Sequence, residues 1–302
     1  MSEVAPEREL VRRPTRASGV LVEVTASLDD LYFQSRLAAD DNFEPAVSVA
    51  LLTLPTDGVA IDLGACLGVV SAALGQIAPQ GRVLSVEASA AMQAGLQLTC
   101  AADGMTNITV VNAAVGATVG TAGYHAHPQG GAWGYVDDKG GSYQVQQTTV
   151  DAMMHEYGLT RLDFLKVDTE GSELTVLSGA EETVRAHSPV IVAELNPFCL
   201  WRYGRTLPQD LISWMRERYE FLWSIDHLAV VTPLLTDHDV DSLLVSLGTH
   251  GGLVDVVASP RPIDFKSPVW VPTPTAEQAP VAEPPAPALR SFFQKVRGRL
   301  LG

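Results

Sequence analysis

Val59-Ala60-Ile61-Asp62-Leu63-Gly64-Ala65-Cys66-Leu67-Gly68 is the stretch on which the fold turns. Val59-Ala60-Ile61 is a short apolar run of the kind that forms a strand buried on both faces. Asp62 stops the run, and Gly64, Ala65 and Gly68 lead into an Ala/Leu/Val-rich helical stretch reaching about Ala78. Strand, small-residue turn and helix bring backbone close to a nucleotide and aim helix N-terminal amides at it. Ala65 stands where a dinucleotide fingerprint has its middle glycine. An acid lies two residues before the first glycine, where it would repel a pyrophosphate but suits a cationic or hydroxyl-rich ligand. The pattern therefore points to S-adenosylmethionine before NAD; taken alone, it is equally a tight turn between packed elements.

Working outward, Gly81–Val86 reads as a second strand ending at Glu87, followed by a helical stretch from Ala88 to about Asp103 and a third strand over Ile108–Val111. Three strands with two intervening helices match half of a doubly wound sheet. Glu87 lies 25 residues after Asp62, near the interval at which an acid accepts ribose hydroxyls. Its plain alternative is a helix-capping acid. Asn112 and Ala113, at the end of the third strand, would lie beside an adenine.

Gly116–Thr149 breaks the alternation. Strand-like Gly120–Ala126 and Tyr143–Thr149 predict an inserted antiparallel hairpin. His125, His127, Trp133 and Tyr135 are candidate acceptor contacts there, since loops at a sheet edge commonly carry substrate. A helix over Val150–Tyr157 and a strand over Leu162–Asp168 follow. Then come a helix from Leu174, a strand over Pro189–Ala193, a helix over Leu207–Tyr219, and late strands at Phe221–Ile225, Asp241–Ser246 and Val254–Ala258.

The 302-residue chain is 46% hydrophobic and 18% charged, a globular composition, and carries a net charge of −15. That balance leaves no surplus of Lys and Arg for nucleic acid. Cys66, Cys100 and Cys199 form no C-x-x-C pair, which argues against zinc or a disulfide framework and for a reducing cytosol. No run is apolar enough to span a bilayer, and the polar N-terminus is no signal peptide. A soluble, cytoplasmic protein is expected, with an association peripheral to the membrane open through its tail.

Residues 1 to about 18 read as a disordered lead, then a β-like run over Gly19–Val24, a polar helical stretch through Asp30, Asp40 and Asp41, and a helix over Phe43–Leu54. Residues 1–55 thus form an extension that could cover the mouth of a domain over 56–259. Nine of the 19 prolines fall between Pro260 and Pro287, marking 260–288 as an extended linker. In 289–302, Leu289, Phe292, Phe293, Val296 and Leu300 share one helical face flanked by Arg290, Lys295, Arg297 and Arg299. Such a basic amphipathic helix fits an anionic membrane or a partner groove, or is simply a frayed tail.

Leu165-Lys166-Val167-Asp168-Thr169-Glu170-Gly171-Ser172-Glu173, followed by Leu177-Ser178-Gly179-Ala180, is the more specific signal. With the Asp62 turn it resembles the FkbM-type family of S-adenosylmethionine-dependent methyltransferases over about residues 57–196. The resemblance implies a class I methyltransferase fold: a Rossmann-like α/β sheet of about seven strands, one late strand antiparallel, helices on both faces. It implies O-methylation of a hydroxylated acceptor, such as a sugar, glycan, glycolipid or secondary metabolite. By position, Asp62, Gly64, Ala65 and Gly68 would cradle the methionine end of the cofactor, Glu87 the ribose, and Asn112 and Ala113 the adenine, while Asp168 would face the reacting methyl. Asp168 ranks first as a carboxylate assisting transfer, then Glu170, Glu194 and Glu173. The plain roles of Glu170 and Glu173 are helix capping. Asp168, Glu194 and Asn196 could make an oxygen site for Mg²⁺, a minor alternative. An NAD-dependent oxidoreductase is the rival enzyme class, weakened by Ala65, Asp62 and the absence of a Tyr-x-x-x-Lys constellation. A non-catalytic adaptor tethered to a glycan-assembly complex is the rival outside enzymes.

Overall fold

The computed structural model describes residues 9–127, 131–137 and 140–267. Within them the chain starts with a hairpin, β1 (Leu10–Ala17) antiparallel to β2 (Val20–Ser27). This corrects the expected disordered lead, apart from residues 1–8, which lie outside the described residues. Arg12, Arg13 and Arg16 made β1 look like a solvated leader, but β1 is an exposed outer strand, where arginines are at home. The turn residues Ser18 and Gly19 have φ of 48° and 83°, the left-handed pair that matches strand twist in a two-residue hairpin. Val22, Val24 and Ala26 of β2 are buried, and β2 lies against helices introduced below. Two helices follow, α1 (Leu31–Leu37), capped by the Asp30 carboxylate on Phe33 N–H, and α2 (Pro45–Thr53), with Pro45 in its first turn.

The core then alternates β3 (Val59–Leu63), α3 (Val69–Ile77), β4 (Arg82–Val86), α4 (Gln93–Cys100) and β5 (Ile108–Val111). The β1–β2 hairpin packs on α3 and α4. The expected inserted hairpin is present as β7 (Gly120–His125) against β9 (Tyr143–Thr148). It is larger than expected: β6 (Ala114–Val115) pairs with β9 and β8 (Tyr135–Asp137) with β7, giving a separate four-stranded sheet. Next come α5 (Val150–Glu156), β10 (Phe164–Val167), α6 (Glu173–Ser178), α7 (Glu181–His187) and β11 (Val190–Leu195). After β11, α8 (Pro197–Cys199) runs into a wide turn over Leu200–Gly204 and then α9 (Pro208–Arg216). The chain closes with β12 (Phe221–Ile225), β13 (Val231–Pro233), α10 (Asp237–His250) and β14 (Val254–Ser259).

The strand expected over Asp241–Ser246 is the middle of α10. A Thr236/Asp239 capping box starts that helix, and Val240, Leu243, Leu244 and Leu247 meet the core at helical spacing.

The main sheet has eight strands in the order β13-β12-β14-β11-β10-β3-β4-β5. From β11 through β5 neighbours run parallel, whereas β14 is antiparallel to both β11 and β12. This is the implied class I sheet with β13 added at one edge. Both faces are covered: Ile61, Leu63, Leu165 and Ile191 belong to one core, and Ala60, Val83, Phe164 and Val192 to the other. From β3 the chain builds outward through β4 and β5, then returns to lay β10 on the other side of β3. The order reverses between β3 and β10, and in such sheets the crevice at the carboxyl ends of those strands is where ligands bind. Gly64 and Asp168 stand there. The expected linker beyond 267 and the helix expected over 289–302 lie outside the described residues, and no helix among the described residues is long and apolar enough to cross a membrane.

Candidate active site

The turn after β3 is tight. Gly64 and Ala65 both donate their N–H to Val86 O at 3.0 Å. Gly64, Cys66 and Gly68 have φ of 75°, 50° and 81°, and Gly68 is the cap of α3. A Cβ on Gly64 would sit 1.7 Å from Asp168 O, so only glycine lets the two strand exits approach this closely.

Lys166 ties the exits together. It pairs in register with Asp62, and its buried Nζ donates to Gly64 O at 2.9 Å and Leu63 O at 3.4 Å. The same nitrogen is 3.4 Å from Asp62 Oδ1 and 3.3 Å from Asp168 Oδ2. Burial works against its charge, but Asp168 and Asp62 prevail and raise its pKa well above the ordinary lysine value. Asp62 itself is fully buried and accepts the Ser71 hydroxyl at 2.6 Å; it shapes the turn from behind. Lys166 was not singled out from the sequence, although a lysine inside an apolar strand was the available signal.

Glu87 is buried at the exit of β4, with Oε2 accepting Cys66 N–H (2.9 Å) and Oε1 accepting Ser89 N–H (2.6 Å). Burial raises its pKa despite those two bonds. The carboxylate clamps the Gly64–Gly68 turn to the next loop, and each oxygen retains acceptor capacity. Asn112 is exposed and donates Nδ2 to Glu87 O at 2.9 Å, while Ala113 is buried. Tyr143 brings the inserted sheet to this loop by accepting Ala90 N–H at 3.1 Å.

Around Asp168 stand four further acids. Glu170, at φ 54°, accepts the Cys199 thiol at 3.2 Å, and burial and then Asp168 push its pKa up to about 8. Glu173 is 1% exposed. Its Oε1 accepts the N–H of Thr169 (2.9 Å) and Gly171 (3.1 Å), and burial raises it to about 7. Thus Glu173 folds back over the loop that precedes its own helix. Glu194, one residue before the end of β11, lies opposite Asp255 of β14. Burial and then Asp168 and Glu170 hold Glu194 well above the carboxylate range, and burial with Asp168 takes Asp255 to about 8. Glu194 Oε2 and Glu173 Oε2 are buried without a hydrogen-bond partner among the described residues. Asp255 was invisible in the sequence because only the β11–β14 pairing brings it here. Asp168, with 38% of its side chain exposed, is the acid most open to a ligand.

These raised values set a pH dependence. Unfolded glutamates ionise near pH 4.5, whereas folded Glu173 holds its proton to about 7. Its contribution is therefore present at pH 4.5 and is lost as pH rises through 7. The shift corresponds to about 3 kcal/mol. Relative to wild type, Glu173→Gln should gain roughly 5–10 °C in Tm between pH 5 and pH 8.5. Parallel Tm profiles for the two proteins would refute the assignment.

His125 stacks on Tyr135 with ring centroids 4.5 Å apart and meets Asp137 at 3.0 Å, while His127 packs edge-on to Trp133 at 5.7 Å. Tyr135 also stacks on Tyr203, 3.9 Å away. His125 and Tyr135 thus form a stacked wall joined through Tyr203 to the turn after β11. Among the described residues, no group of three or more His, Cys, Asp or Glu is placed to hold a metal ion. Asn196 Oδ1 is engaged as the cap of α8, accepting Cys199 N–H.

The crevice thus combines a glycine turn closed against Asp168, a buried acid at the exit of β4, and unpartnered buried acceptors. No curated protein of known function matches the sequence. Among solved structures, the methyltransferase FkbM from Methylobacillus flagellatus KT is 21% identical, with a TM-score of 0.38 over 50% of this chain and 38% of that one. The chain thus aligns with well under half of that protein's length. A precorrin-6y C5,15-methyltransferase from Geobacter metallireducens GS-15 is 12% identical, with a TM-score of 0.41 over 72% of this chain and 87% of that one. An O-methyltransferase from Bacillus cereus in complex with SAH is 10% identical, with a TM-score of 0.42 over 77% and 90%. The assignment rests instead on the family model described as "Methyltransferase FkbM domain", which matches residues 62–221. That span starts at Asp62 and takes in Glu87, Lys166, Asp168, Glu170 and Glu194, more than half of the chain, and so the chain belongs to the methyltransferase FkbM domain family.

Proposed function

We propose that this protein transfers a methyl group from S-adenosylmethionine to a hydroxyl of a sugar-like or secondary-metabolite acceptor. The observation that carries the proposal is the juxtaposition of Gly64 and Asp168 across the switch point, locked by Lys166. S-adenosylmethionine, when bound, supplies a methyl already activated by the sulfonium, so alignment is the protein's main task. Gly64, Ala65 and Gly68 shape the floor of the crevice, and Glu87 offers its remaining lone pairs to ribose hydroxyls. Asn112 and Ala113 border the adenine side. Asp168 accepts the acceptor's hydroxyl proton at Oδ1 or Oδ2 as the oxygen attacks, and Lys166 orients it. Glu170, protonated to about pH 8, keeps a second negative charge away from Asp168 at neutral pH and can donate a hydrogen bond. The stacked wall of His125, Tyr135 and Tyr203 is the side from which a hydroxylated ring would enter.

The test is methyl transfer from isotope-labelled S-adenosylmethionine to a panel of sugars and polyhydroxylated small molecules, beside calorimetric binding with NAD as the control ligand. Asp168→Asn should lower the rate roughly 10²- to 10⁴-fold with cofactor affinity held within a few-fold. Failure of the folded wild type to bind S-adenosylmethionine overturns the proposal. That failure favours the adaptor or, where NAD binds instead, the oxidoreductase.

A further inference from the structure

Upstream of the matched family domain, the chain buries an arginine that its own fold leaves half used. Arg36, in the last turn of α1, is 6% exposed. Its Nη1 pairs with the Glu44 carboxylate, while Nε and Nη2 are buried with no hydrogen-bond partner among the described residues. Unpaired buried donors are costly, and on a charged group more so. The Nε–Nη2 edge is the side of a guanidinium that takes a carboxylate with two parallel hydrogen bonds. The backbone is held for this: Thr15 Oγ1 and Asn42 Nδ2 both donate to Arg36 O, at 3.2 and 2.9 Å.

The neighbours of Arg36 place it beside the crevice. Its Cζ stands 5.9 Å from the ring centroid of Tyr32, one turn earlier. The Tyr32 hydroxyl lies in the field of Arg36, Glu44, Cys66 and Lys166. The charge of Asp30 acts on Cys66 through space, and that of Glu44 on Lys166 and Asp255. The charges of the segment from Asp30 to Glu44 thus lie within electrostatic range of the exits of β3 and β10, where the crevice is otherwise lined by acids that would repel an anionic group.

We infer that Arg36, from outside the family domain, binds the α-carboxylate at the amino-acid end of the cofactor through its unpaired Nε–Nη2 edge. The inference rests on the cofactor assignment above. It also gives residues 30–44 a role in binding.

Equilibrium binding to the full chain tests it without turnover. The probes are S-adenosylhomocysteine and 5′-methylthioadenosine, which keeps the adenosine and thioether but lacks the amino-acid end. Arg36→Gln should weaken S-adenosylhomocysteine about 10- to 100-fold, the loss of a charged hydrogen-bonded pair, and leave methylthioadenosine unchanged. Arg36→Lys, which keeps the charge without the fork, should fall between. If Arg36→Gln does not fold, the same split between the two probes is required of Arg36→Lys. Equal loss for both probes, or no loss for either, overturns the inference while leaving the cofactor assignment standing. Wild type that binds neither probe overturns both.

Discussion

Lys166→Met is expected to destabilise the protein by about 3–5 kcal/mol, the usual consequence of removing one partner from a buried ion pair. Methionine nearly matches lysine in volume, so packing changes little and the loss is electrostatic. Without Nζ, Asp62 Oδ1 has no partner, Asp168 Oδ2 loses its cation, and the carbonyls of Leu63 and Gly64 lose a donor. Two strand exits that the lysine bridges would then separate by repulsion between Asp62 and Asp168. A fall in Tm of roughly 10 °C should follow. The double variant Asp62→Asn/Lys166→Met should recover part of it, because the uncompensated buried charge is removed along with its partner. A loss below 1 kcal/mol, or a double variant no more stable than Lys166→Met, would show that the bridge is not what holds the turn.

Gly64→Ala is expected to abolish measurable cofactor binding and to lower stability by about 3 kcal/mol or more. Two effects add. At φ 75° an alanine meets the left-handed penalty of roughly 1–2 kcal/mol. Its Cβ would also stand 1.7 Å from Asp168 O and 2.9 Å from Asp168 C, both backbone atoms that cannot rotate away. The turn or the exit of β10 must move by more than an ångström. Either displacement spoils the Gly64–Asp168 approach, and Lys166, bonded to both sides, would be pulled with it. Gly104→Ala is the matched control: φ is 73° there, but nothing lies within 4 Å of the added Cβ, so only the conformational term applies. If the two variants lose the same stability, steric closure at Gly64 is not the cause.

Much of the fold was legible because the parallel strands are short apolar runs ended by single acids or glycines. Val59–Leu63, Arg82–Val86 and Val190–Leu195 are buried on both faces and need no partner to be recognised. Misreadings fell where local signals conflict. In β1, three arginines on an outer strand imitate a solvated leader, and pairing with β2 decides the matter. In α10, the run Asp241–Ser246 is too short to show its period without Val240 and Leu247 on either side.

For the site, order along the chain was enough to mark Asp62, Gly64, Glu87, Asp168, Glu170 and Glu194, since each sits at the end of a core strand or in the turn that follows. Their working relations were not readable. Glu87 gripping the turn through Cys66 N–H and Asp255 beside Glu194 depend on strand register, and Glu173 folded back on Thr169 and Gly171 depends on the conformation of its own loop. Arg36 entered only through its burial and its unpaired edge. Sequence alone determined where the core parallel strands end, because hydrophobic runs and turn residues act locally. Tertiary structure alone decided which of those ends meet, and hence which carboxylates keep their protons, because burial and charge act through space between segments up to two hundred residues apart.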